Sequence, residues 1–147
     1  MTRLKDFARV AAADRGLCVA STLRADATIH SSVVNAGVLR HPTQKHDVAA
    51  YVAIGGVRKL THLRARPHIT IVARAGWDWA AVEGDVELIG PDDEYPGMDA
   101  EAIRLLLRAI FTAAGGTHDD WATYDRVMAK ERRTAVLINP TRIYSNS

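Results

Sequence analysis

Apolar residues recur at helical spacing at the start of the chain. Leu4, Phe7, Ala8 and Ala11 share one side of residues 3–14, and Gly16 closes the segment. The pattern then shifts to short apolar runs separated by turn residues. "LCVASTLRADATIHSSVVNAGVL" holds two β-rich runs around the polar "RADAT", which predicts a hairpin. "HPTQKHD" is a loop punctuated by Pro42. "VAAYVAI" has strand length; Gly55 and Gly56 break it, and a short helix over 57–66 follows until Pro67 stops it. "HITIVARAG" reads as a strand. "AAVEGDVELIG" alternates most clearly, with Val82, Val86 and Leu88 on one face and Glu83, Asp85 and Glu87 on the other.

Two longer helical patterns come next. The first is capped by Asp99, carries an Ile103, Leu106, Leu107, Ile110 and Phe111 stripe, and ends at Gly115. The second starts at Asp119 or Asp120 and presents Trp121, Tyr124, Val127 and Met128. "TAVLINPTRIYSNS" closes the chain as a strand. There are no repeats, low-complexity tracts or linkers, so residues 1–147 read as a single domain. About six short strands with few long helices predict a small antiparallel barrel, mainly β within an α+β class.

Composition changes this picture little. The chain has 147 residues, 48% of them apolar and 24% charged, with a net charge of +2. That is ordinary globular composition, too weakly basic to argue for nucleic acid. Cys18 is the one cysteine, so no intrachain disulfide forms. No apolar run approaches the roughly 20 residues that span a bilayer, and Arg3, Lys5, Asp6 and Arg9 interrupt the N-terminal segment where a signal peptide would be apolar. The expectation is a cytoplasmic protein with no membrane partner.

The candidate chemistry centres on "AIGGVRKLTHLRARP". Arg58 and Lys59 occupy the first helical turn, where the positive end of the helix dipole disfavours cations. The segment is neither a Walker A loop nor a dinucleotide fingerprint. It still has the parts of an anion site. Gly55 and Gly56 permit close backbone approach, the helix start offers free N–H groups, and Arg58 and Lys59 supply a fork and a mobile charge. Spacing alone favours the blander alternative, a solvated basic helix continued by Arg64 and Arg66. The same residues with His62 make a weak case for a nucleic-acid face, since acidic residues balance them and no binding motif surrounds them.

Other signals are thinner. His41 and His46 share a loop with no Cys or Glu at ligand spacing; they read as exposed, and no metal site is expected. Ser21, Ser31 and Ser32 lack a G-x-S-x-G elbow. Cys18 lies in an apolar strand and reads as inert. Trp77 and Trp79 flank Asp78 before the alternating strand, where core or interface roles are commoner than a cofactor platform.

The order of these parts resembles the pyridoxamine 5'-phosphate oxidase-like split β-barrel flavoproteins. The matching string is Arg58-Lys59, Leu63, Pro67, "HITIVARAG", Trp77 and Val82-Glu83-Gly84, with "TLRADATIHSSVV" similar to the family's first hairpin. The resemblance covers residues 15 to 90 and the closing strand. Within the family, the "TLRAD" turn, the "GG-x-x-K" helix entry and "W-x-x-x-EG" look most like the actinobacterial branch that uses the deazaflavin coenzyme F420. The resemblance implies a Greek-key split barrel, a homodimer with cofactor sites at its interface, and Arg58 and Lys59 on the cofactor phosphate. It also implies Gly55 and Gly56 at that entry, residues around Ser32 to Asn35 along the ring system, and Trp77 and Trp79 near the cofactor. The implied activity is hydride transfer from reduced F420 to an unsaturated organic substrate, with no obligatory catalytic side chain. Two alternatives stay open: an FMN-dependent oxidase or reductase, and a non-catalytic FMN- or haem-binding barrel. The chain ends "RIYSNS" rather than in the oxidase's Arg-Leu signature, which argues against pyridoxamine phosphate oxidation.

Overall fold

A computed structural model describes residues 1–147. Six antiparallel strands close a barrel: β1 (Leu17–Leu23), β2 (Ile29–Arg40), β3 (Asp47–Ala53), β4 (His68–Ala75), β5 (Asp78–Ile89) and β6 (Thr134–Ser145). Their order around the barrel is β1-β2-β3-β6-β5-β4, so the α+β barrel expected from the strand pattern is the fold.

Four helices complete it: α1 (Leu4–Ala13), α2 (Arg58–Ala65), α3 (Ala100–Ala113) and α4 (Trp121–Lys130). α1 turns Phe7, Val10 and Ala11 into the barrel core, where they meet Ile69, Ile71 and Val136. α2 adds Leu60 and Leu63 to the same core. α3 and α4 build a second core on the outside of the barrel. There Leu106, Leu107, Ile110 and Tyr124 cover Val48, Ala50 and Leu137. β3 is therefore apolar on both faces, because one faces the lumen and the other faces helices.

Helix ends follow the sequence signals closely. The Asp99 carboxylate accepts from Ala102 N–H at 2.8 Å. Asp120, not Asp119, caps α4, accepting from Thr123 N–H at 3.1 Å. Val82, Val86 and Leu88 all pack on the barrel core, as their alternation predicts. No helix is long and apolar enough to cross a membrane.

Candidate functional site

α2 starts without a side-chain cap and with no acidic residue in its first turn. Its first N–H groups and the positive end of its dipole are thus left without a protein anion. Arg58 is exposed and Lys59 half-buried, and neither takes part in any ion pair. Burial, followed by repulsion from Arg133, pulls the Lys59 ammonium below its ordinary pKa. Its Nζ sits 5.7 Å from the centre of the Tyr51 ring, a cation–π contact that steadies the side chain without neutralising it. The later charges of the helix are accounted for. Arg64 makes a bidentate pair with Asp93 at 2.8 and 2.9 Å, and Arg66 Nε donates to the Leu23 carbonyl at 3.0 Å. The cationic run is therefore divided: its end is tied into the fold, and its start is free.

The two glycines before the helix differ. A side chain at Gly55 would meet Arg132 backbone and Cβ atoms at 2.8 Å, so its close approach is to the α4–β6 turn. Gly56 has φ +81° and open space around it, which leaves its backbone accessible to a ligand. The contact at Gly55 also brings the residues just before β6 to the start of α2. Arg133 is the member of this site that no local pattern flags, since it lies 74 residues beyond Lys59 and joins it only through barrel closure.

Ser32 and Asn35 point to opposite faces of β2, as odd and even positions must. Ser32 turns inward, and its Oγ is buried without a partner, like Tyr51 OH and His30 Nδ1. Asn35 turns outward, donating to the Arg15 carbonyl at 2.6 Å. It lines a cavity of about 220 Å³ with Val52, Tyr124, Met128 and Arg133. The structure thus brings Asn35, through Arg133, toward Lys59, and leaves Ser32 in the lumen.

Trp77 and Trp79 are elsewhere in the chain. They follow β4, while α2 precedes it, which separates them by on the order of 25 Å of strand rise. Trp77 is 92% exposed in the β4–β5 turn. Trp79 packs edge-on to Tyr144, ring centres 6.1 Å apart. One chain alone does not place both these rings and the α2 cations around one ligand.

The outer face of β1 and the first half of β2 is uncovered, with two apolar pairs flanking the hydrogen-bonded Ser21–Ser31 pair. Val19 pairs with Val33 and Leu23 with Ile29 across the strands, and these four side chains stand 41–65% exposed. Cys18, one residue along, faces inward; burial pushes its thiol up to about 12, which leaves it unreactive.

The histidine loop differs from expectation. His41 is buried, not exposed: its Nε2 meets Glu87 at 2.9 Å and its Nδ1 accepts from Thr43 N–H at 3.1 Å. Glu87 also accepts from Tyr95 and Asn139. No group of three metal-ligating side chains converges anywhere in the chain.

No protein-family model matches the chain. Solved structures do resemble it. A conserved hypothetical protein of Mycobacterium tuberculosis superposes with a TM-score of 0.65 at 17% identity, covering 99% of this chain and 84% of its own. An F420 reductase gives 0.59 at 14% identity, with 87% and 88% covered. A pyridoxamine 5'-phosphate oxidase-related, FMN-binding protein of Nostoc punctiforme gives 0.64 at 12%, with 94% and 80% covered. The chain therefore has the fold of the split-barrel proteins that its motif order resembles.

Proposed function

We propose that the chain is an oxidoreductase that holds deazaflavin F420 by its phosphate at the start of α2. The observation that carries this reading is the free cation pair. Arg58 and Lys59 stand in the first turn of a helix with no carboxylate to neutralise them, beside an accessible glycine backbone. A phosphate satisfies the helix N–H groups, the guanidinium fork and the depressed ammonium at once. The parts present fit such a group.

Asn35 and Val52, which line the cavity that Arg133 joins to this end of the helix, would border the ring system. Arg58 and Lys59 bind and orient; the apolar surroundings exclude water. When bound, the deazaflavin supplies the hydride that reduces an unsaturated organic substrate. FMN presents the same phosphate, and the likeness to an FMN-binding protein supports it as the second reading. In this reading the protein works as a homodimer through the β1–β2 face. A second copy covers Val19, Leu23, Ile29 and Val33, which stand exposed on one chain. The setting is the cytoplasm.

Fluorescence titration of F420 and FMN tests the grip. Replacing both Arg58 and Lys59 with Ala removes two charge-assisted contacts of about 1.5–3 kcal/mol each, so affinity falls at least a hundredfold. An unchanged dissociation constant in a normally folded double variant removes the assignment. Affinity also declines as pH rises through the lowered Lys59 pKa, because only the protonated ammonium attracts phosphate.

A further inference from the structure

The helical pair carries a second opening that the cofactor reading does not use. A cavity of about 390 Å³ runs between α3 and α4, walled by Ile103, Leu107 and Met128, with Arg132 and Arg133 at one side. The smaller cavity near Asn35 and Val52 shares Met128 and Arg133 with it, so the two meet at those residues.

Most polar groups around this cleft are spent within the protein. Arg104 pairs with Glu101 and Asp125, and Arg108 with Asp125. Arg132 holds Asp92. Tyr124 OH donates to the Leu107 carbonyl at 3.0 Å, and Asn35 to the Arg15 carbonyl. Arg133 is different. Its Nε donates to Glu131 at 2.9 Å, and its two terminal nitrogens have no protein partner. Its side chain is 23% exposed, and the terminal nitrogens are not among the chain's buried unpartnered atoms, so they are open to a ligand from the cleft. Lys59 stands near enough to oppose its charge, and Glu131 is the one carboxylate paired with either cation. A partly desolvated guanidinium with a free fork, at the junction of two apolar cavities, is complementary to a planar oxyanion on an apolar body.

We propose that this cleft binds an organic monocarboxylate. The apolar body lies against Ile103, Leu107 and Met128, and the carboxylate takes the free Nη pair of Arg133. In the reaction proposed above this molecule is the substrate, a role that rests on that reading; the binding itself does not need the cofactor.

Calorimetric titration of the full chain, without cofactor, with octanoate and with octanol tests it. Octanoate binds and octanol binds at least tenfold more weakly, since octanol lacks the charge that Arg133 pairs. Arg133→Gln brings octanoate down to the level of octanol, and Met128→Trp, which fills the junction, abolishes both. Circular dichroism and melting temperature verify that each variant is folded; Ala129→Leu replaces Met128→Trp if the latter unfolds. Octanoate binding that is equal in wild type and Arg133→Gln, or absent from wild type, overturns the proposal. F420 affinity that is unchanged in the α2 double variant, with octanoate binding intact, counts against the cofactor reading alone.

Discussion

His41 loses nearly all contact with solvent, although its sequence neighbours Pro42, Thr43 and Gln44 are those of an exposed loop. What draws it in is Glu87, 46 residues further on. Burial raises the Glu87 carboxyl, but hydrogen bonds from Tyr95, Asn139 and His41 together outweigh this and hold it below the ordinary carboxylate range. A carboxyl depressed in the folded state adds stability above its unfolded pKa and loses it as pH falls through the folded value. Urea denaturation therefore shows wild type weakening with acidification below about pH 5, and Glu87→Gln reduces that slope. At neutral pH the substitution costs roughly 2–3 kcal/mol, because charged hydrogen bonds are lost and donors are left buried. Residue by residue, the sequence disclosed groups whose oddity is local and hid those whose partners are distant. Arg58 and Lys59 stood out because they oppose their own helix dipole. Arg133 and Glu87 stayed invisible because barrel closure alone gives them their neighbours.

Elements were more legible than contacts. The alternation of β5 and the stripe of α3 each predict a face, and both faces are buried as expected. The register of β2 was less legible. Residues 32 to 35 were expected to lie along one ring as a group, but a period of two sends Ser32 inward and Asn35 outward. β5 carries its own constraint in Val82-Glu83-Gly84, where the ladder to β6 shifts register. A Cβ on Gly84 would stand 2.2 Å from the Asn139 carbonyl oxygen, a backbone atom fixed by the same ladder. Gly84→Ala consequently destabilises the barrel by about 1–3 kcal/mol, seen as a lower urea midpoint at unchanged slope. A Gly84→Ala protein as stable as wild type shows that the two strands can separate there at little cost. The pattern of α3 and α4 told of a core, and that core exists; the cleft it encloses depends on side-chain volumes that periodicity does not encode.

At the scale of the whole molecule, the uncovered face of β1 and β2 stands out. Ile29 is 64% and Val33 65% exposed, and they adjoin the other apolar outward positions of the hairpin. In the proposed homodimer this patch is the association surface. Ile29→Lys with Val33→Lys places two charges there, and sedimentation then shows a monomer where wild type is a dimer; a wild-type monomer contradicts the assembly directly. The fold came through the order of strands and motifs, and the solved structures bear it out. Cofactor choice did not, because F420 and FMN share the phosphate that Arg58 and Lys59 are proposed to hold. The most direct measurement is a crystal structure of the chain grown with F420. Phosphate density is expected within hydrogen-bonding reach of Arg58 and Lys59 at the first turn of α2. Density with its phosphate elsewhere, or a soaked crystal with those two side chains still facing water, contradicts it.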